Sequence, residues 1–321
     1  MKQLLITSFK IAISVFAIWY LFKNSKISAV TFSNMLSPHF LPLFFSSMLA
    51  FFVSQSIISY RLMMLLKIAK IHISFKKCIM LTFIGNFFNI VVPGTVGGDV
   101  IKGYYLAKME KEKKGTGSGV VIVDRIVGLL ALLTIGGLSI LYIINMTGKK
   151  VFFYQYNIRV VTVIIGFVLL FFFVSLIISK DERIRKKIKY WSSRIFGKGF
   201  FYQVIESFGL VTKKKRYLLI ALFISILAQI FSLTGLLVFA DIISSNFTMV
   251  IYMMAVSSLI LLIGIIPITP GNIGWIELLA SLGWSAIGSD RGAEIFLYWR
   301  AVTIICSIPG GIIYLFYKTR L

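Results

Sequence analysis

Six apolar runs govern what this chain can become: residues 4–22, 40–60, 118–145, 158–179, 217–240 and 293–317. Each has roughly the ~20 residues that a helix needs to cross a hydrocarbon core. Within lipid, a backbone polar group without a partner costs several kcal/mol, so the runs read as spanning helices. Composition agrees, because 58% of residues are hydrophobic where a soluble domain has about 45–50%. The chain therefore reads as an all-α polytopic membrane protein, one integral membrane domain over residues 1–321 with about six full spans.

Charge sets the expected sidedness. Lys and Arg outnumber Asp and Glu by 34 to 11. In a membrane protein that excess belongs to cytoplasmic loops and anionic headgroups, not to nucleic acid. Residues 61–77 hold Arg61, Lys67, Lys70, Lys76 and Lys77 and no acid, and read as a cytoplasmic loop. Residues 180–216 hold twelve basic residues against three acids and read as a basic cytoplasmic linker. Within it, 183–191 can form a basic helix on the inner leaflet, with a solvated stop-transfer linker as the alternative. Residues 23–39 read as a short connection. The first apolar run reads as a retained helix, since no small-residue cleavage site follows it. This bookkeeping places both termini in the cytoplasm of a cell whose cytoplasmic membrane holds the chain.

Two stretches resist a continuous helix. Residues 86–99 contain Asn86, Asn89, Pro93, Gly94, Thr95, Gly97, Gly98 and Asp99. Residues 267–277 contain Pro267, Pro270, Gly271, Asn272, Gly274 and Glu277. Both read Pro-Gly-x-x-Gly and then an acid. Proline breaks a helix interior by removing a donor and clashing with the preceding turn. Each stretch therefore predicts a re-entrant helical hairpin: 78–110 from the cytoplasm with its tip at Pro93-Gly94, and 248–288 from outside with its tip at Pro270-Gly271. Full crossings by 248–267 and 271–288 leave the charge bookkeeping unchanged, so charge does not decide between the two forms.

The stretches share a register. Pro93 and Pro270 lie 177 residues apart, as do the span starts at 40 and 217, and Arg125 precedes Arg300 by 175. Each half, about 40–145 and about 217–317, reads span, hairpin, then a span with an Arg near its start. The halves enter from opposite sides, which is the inverted-topology repeat found in transporters.

A helix starting just after each Pro-Gly aims free N–H groups and a positive dipole end into the membrane. Two opposed ends make an anion site. Arg125 and Arg300 add full charge and a fork suited to phosphate. Asp99, Asp124 and Glu277 read as acids that neutralise the arginines in the empty site or carry protons, with Lys102 beside Asp99 toward the cytoplasmic mouth. Asn86, Asn89, Thr95 and Asn272 offer hydrogen bonds to a phosphate or a sugar. A purely structural reading stands beside this one. In it, Asp124 with Arg125 and Glu277 with Arg300 are ion pairs between helices, Asn86 and Asn89 bridge helices, and Gly97-Gly98 serve close packing. The Phe and Tyr residues read as mostly lipid-facing or interfacial. Cys78 and Cys306 read as packing residues, and His39 and His72 form no metal constellation, so no metal or cofactor is expected. With no zinc motif, nucleophile elbow or Walker loop, enzymatic activity is not expected either.

Three motifs carry a resemblance: the run from Asn89 through Pro93-Gly94-Thr95-Val96-Gly97-Gly98-Asp99 to Lys108, the run Val123-Asp124-Arg125-Ile126-Val127-Gly128-Leu129, and the run Ile266-Pro267-Ile268-Thr269-Pro270-Gly271-Asn272-Ile273-Gly274-Trp275-Ile276-Glu277. Together they resemble the flippase-like transmembrane region found at the N-terminus of lysylphosphatidylglycerol synthases and in stand-alone membrane proteins. In the full synthases a soluble aminoacyl-transfer domain follows, for which a chain ending at Leu321 has no room. The resemblance thus implies translocation of a lipid rather than its aminoacylation. The implied cargo is an anionic phospholipid or a polyprenyl-phosphate-linked sugar. Envelope-biosynthesis enzymes are the expected protein partners. An integral-membrane enzyme or accessory subunit of lipid or envelope-glycan biosynthesis is the alternative.

Overall fold

A computed structural model describes residues 14–24, 26–27, 29–92, 97–109, 116–147, 214–240, 246–266 and 268–317. Every regular element among them is helical. In chain order these are α1 (Ser14–Lys23), α2 (Ala29–Met35), α3 (Phe40–Ile68), α4 (Phe75–Val91), α5 (Gly97–Met109), α6 (Thr116–Thr147), α7 (Lys215–Leu237), α8 (Phe247–Ile263), α9 (Trp275–Ser285) and α10 (Gly292–Tyr317). Single 3₁₀ turns follow α7 at Val238–Ala240 and precede α9 at Pro270–Asn272. Four helices, α3, α6, α7 and α10, are long and apolar enough to cross a membrane. The expected span 158–179, most of the basic linker, Pro267, and the first tip with Pro93, Gly94 and Thr95 lie outside the described residues.

Two expectations need correction. Residues 23–39 are not a plain connection, because α2 forms inside them. Arg61 is not a loop residue. Helix α3 has 29 residues, about 43 Å at 1.5 Å per residue against a core of ~30 Å. A hydropathy reading stops at the first charge, whereas the helix continues to Ile68 and keeps Arg61 only 4% exposed.

The hairpins fit the short form. Helix α4 turns back into α5, and α8 into α9, each pair packed limb on limb. The return limbs have 13 and 11 residues. Over the described residues their lengths of about 20 and 16 Å fall short of a ~30 Å core.

Packing between the halves shows their orientation. Ser47 Oγ donates to the Gly235 carbonyl at 2.7 Å and Ser54 Oγ to that of Ala228 at 2.9 Å. Later residues of α3 meet earlier ones of α7, so these equivalent spans run antiparallel. A two-fold axis in the membrane plane requires this, and an axis along the normal would make them parallel. The remaining contacts exchange in the same way. Helix α6 packs along α8 as α10 packs along α4, and α5 on α6 as α9 on α10. The first crossing falls near Gly136 and Ser258, the second near Gly310 and Phe83. Shifted by 177, these positions agree to within three residues.

Several glycines bring backbone against backbone. A Cβ on Gly310 would lie 2.0 Å from the Phe83 carbonyl oxygen, and one on Gly98 2.0 Å from that of Gly85. Where α3, α7 and α10 meet, Phe40 stacks on Phe239 at 5.3 Å and meets Tyr298 edge-on at 5.0 Å. These rings are buried, a minority beside a mostly lipid-facing set in which Phe16, Phe45, Phe223 and Phe316 are exposed.

The two ends of the bundle differ in charge. At the end formed by the close of α3 and the start of α7, Lys67, Lys70, Lys76, Lys77, Lys108, Lys214 and Arg216 are exposed. No carboxylate accompanies them among the described residues. At the other end Lys26 pairs with Asp290, whose carboxyl it holds below the usual carboxylate range, and Arg291 pairs with Glu294.

Gly310→Ala should cost about 1–3 kcal/mol, the usual effect of overpacking a tight contact. Gly128→Ala, with its nearest neighbour at 3.4 Å, should be near neutral. Thermal unfolding midpoints in detergent compare the two, and equal midpoints would contradict the close crossing.

Candidate functional site

The second tip is the better defined. After α8 the chain turns through Pro270–Asn272 into α9. Gly271, Asn272 and Gly274 take left-handed backbone, with φ of 58°, 56° and 80°. Glycine and asparagine tolerate that region where other side chains clash. Glu277, 3% exposed, stands in the first turn of α9. One carboxylate oxygen accepts from the Gly274 N–H at 2.8 Å and the other from Arg300 Nε. The two terminal nitrogens of Arg300 donate to the carbonyls of Gly271 and Asn272, each at 3.0 Å. Arg300, carried on α10, thus clamps the tip and its acid together. Asn272 donates its amide to the Gly264 carbonyl, and its buried Oδ1 has no donor among the described residues.

The first half repeats the arrangement. Helix α5 begins at Gly97, and the Gly98 N–H donates to Asn89 Oδ1 at 2.8 Å. Arg125 on α6 donates to Asp99 in the first turn of α5. Lys102 Nζ lies 4.0 Å from the other oxygen of Asp99. Lys102 is 7% exposed, and its stem passes over Gly85 where a Cβ would sit 2.3 Å from its Cε. In both halves, then, an acid opening the short helix binds an arginine on the following span. Around Asp99 two cations share one carboxylate among the described residues; at Glu277 the ratio is one to one. The end of α4 touches the second tip, where a Cβ on Gly271 would lie 3.9 Å from the Ile90 carbonyl oxygen.

Several site expectations change. The α-helix after the second Pro-Gly starts at Trp275, beyond a 3₁₀ turn, and not at the Pro-Gly itself. Neither helix end is bare: Asn89 occupies one N–H and Glu277 another. Asp124 does not join Arg125. Consecutive helix residues point about 100° apart and do not face each other. Asp124 instead accepts from Arg61 Nε at 2.7 Å, and Arg61 also donates to Ser225 Oγ at 2.6 Å. This network ties α3, α6 and α7 together, and Arg61 is its member that the sequence reading missed. The run Leu62 to Leu66 after Arg61 was the available signal. Asn86 donates to Gln55 Oε1 at 3.0 Å, bridging α4 to α3. Gly97 packs against Val92, where a Cβ would fall 2.7 Å from the Val92 Cβ.

The family model described as the lysylphosphatidylglycerol synthase TM region matches residues 8–310. The chain is also similar to the UPF0104 membrane protein MJ1595 of Methanocaldococcus jannaschii, with 28% identity over 277 residues, covering 83% of this chain and 82% of that protein. No solved structure matches the chain.

Removing one partner of a buried ion pair typically costs 3–5 kcal/mol, while apolar replacement of both is milder. Arg61→Met and Asp124→Leu should each destabilise by about that much, and the double variant by less than their sum. Unfolding titrations in mixed detergent check this; additive costs would show that the two side chains do not interact.

Proposed function

Because this chain belongs to the lysylphosphatidylglycerol synthase transmembrane-region family and is a multi-pass membrane protein, we propose that it flips an anionic lipid across the cytoplasmic membrane. The cargo class is a phospholipid or a polyprenyl-phosphate-linked glycan, and no chemical turnover accompanies transfer. The observation that carries this reading is the repeat-related pair of acid–arginine contacts, Asp99 with Arg125 and Glu277 with Arg300, at the meeting of two hairpins. Charged side chains cost roughly 2.5–3.5 kcal/mol at a helix centre on insertion scales, so keeping two such pairs in the interior argues for use.

In this reading the carboxylates stand in for a phosphate. An arriving headgroup competes with Asp99 for Arg125, and the ammonium of Lys102 adds a second cation on that side. Arg300 keeps its bonds to the Gly271 and Asn272 carbonyls and so preserves the tip while Glu277 moves or stays. Rocking of one repeat against the other exposes the headgroup to each leaflet in turn, with the tails left in lipid. The basic end of the bundle faces the cytoplasm under the positive-inside rule, which puts the close of α3 and the start of α7 inside. Envelope-biosynthesis enzymes would supply or take the cargo.

Reconstitution with fluorescent phosphatidylglycerol, followed by dithionite bleaching of the outer leaflet, measures transfer. Wild type should flip the lipid, and Arg125→Ala should slow transfer at least about tenfold, the equivalent of one charge-assisted contact of roughly 1.5–3 kcal/mol. Arg125→Ala flipping at the wild-type rate would remove the anion site from the mechanism. Chemical conversion of the lipid by the purified chain, read by mass spectrometry, would favour the enzyme alternative.

A further inference from the structure

Away from the hairpins, a cavity of about 790 Å³ opens between the end of α3, the 71–74 segment and the start of α7. That volume lies in the range of small-molecule and cofactor pockets, about 300–1,000 Å³. Its polar wall carries Lys67, His72, Ser74 and Lys214 and no carboxylate. Its apolar wall includes Met63, Met64, Ile68, Ile73 and Ile220. Tyr60 and Tyr217 complete the rim and are 50% and 42% exposed. Lys214 Nζ sits 5.5 Å from the centre of the Tyr217 ring, a contact that holds the ammonium at the rim.

We infer that this cavity binds the headgroup and upper chain of one anionic phospholipid at the basic end of the bundle. Three features on one surface point to that occupant. The charge is of one sign, and it belongs to the end of the molecule where all exposed described charges are cationic. The methionine and isoleucine wall continues onto lipid-exposed α7, where Ile220 and Phe223 are 37% and 62% exposed. Aromatic rims of Tyr mark the headgroup level of a bilayer. A soluble anion would use the lysines and leave the apolar wall wet, and a zwitterionic lipid would leave the two ammonium groups without a net counter-charge. The site is separate from Asp99, Arg125, Glu277 and Arg300 and stands whether or not the chain flips lipid.

The test is a competition. The purified full chain is equilibrated with equal phosphatidylglycerol and phosphatidylcholine of distinguishable mass, and retained lipid is counted by native mass spectrometry. Wild type should favour phosphatidylglycerol on the order of tenfold or more, as two lysines near a headgroup provide. Lys67→Gln with Lys214→Gln should reduce that preference at least about fivefold at unchanged thermal stability. Lys76→Gln with Lys77→Gln removes equal charge from the same end outside the cavity and should leave the preference intact. Wild-type preference in the cavity variant, or equal loss in both variants, would overturn the assignment, the second outcome showing diffuse surface attraction only.

Discussion

A charge inside a bilayer has to find a partner, and that constraint shapes this molecule more than any apolar contact does. Arg61, Lys102, Arg125 and Arg300 all sit within or beside the helical bundle, and each faces a carboxylate: Asp124, Asp99 or Glu277. Each arginine pairing joins two different helices, while Lys102 meets Asp99 within α5. Arg61 with Asp124 ties α3 to α6 and, through Ser225, to α7. The other two pairs tie each short helix to the span that follows it. Apolar packing alone does little to select helix neighbours in lipid, where tails are as apolar as leucine. Glycine-mediated crossings and these polar pairs supply the selection instead.

The three pairs are not alike. Arg61 with Asp124 has no counterpart in the second half, where Val238 stands at the shifted position of Arg61. Both side chains are buried, and Ser225 takes a further donor of the guanidinium. Such a pair suits a fixed joint. The two repeat-related pairs sit at the starts of the two short helices, and before the second the backbone is irregular, a form tolerated in lipid only where protein or a cavity surrounds it. Between them lies an imbalance. Among the described residues the Glu277 side pairs one acid with one arginine and is knitted into its own tip, while the Asp99 side also holds the ammonium of Lys102.

Much of this was legible in the sequence. The Pro-Gly-x-x-Gly pair, the 177-residue offset and the equivalence of Arg125 with Arg300 predict two hairpins in inverted order. The antiparallel contact of α3 with α7 fits that order. Partner choice was the illegible part. Asp124 and Arg125 are neighbours in sequence, yet helical geometry turns them to different faces, so Asp99 and not Asp124 binds Arg125. Arg61 looked like the end of a span because apolar counting stops at a charge, although a long helix carries it inward to its acid. The left-handed backbone at Asn272 has no signature in the sequence, since only the folded tip shows that this asparagine takes a conformation usually left to glycine.

The carboxylates as phosphate stand-ins form the central claim, and an experimentally determined structure of the protein saturated with phosphatidylglycerol tests it most directly. Phosphate density should appear between the start of α5 and the Pro270–Asn272 turn, within hydrogen-bonding distance of Arg125 and Lys102, with Asp99 drawn away from Arg125. Density found only elsewhere, with both acid–arginine pairs intact, would contradict it.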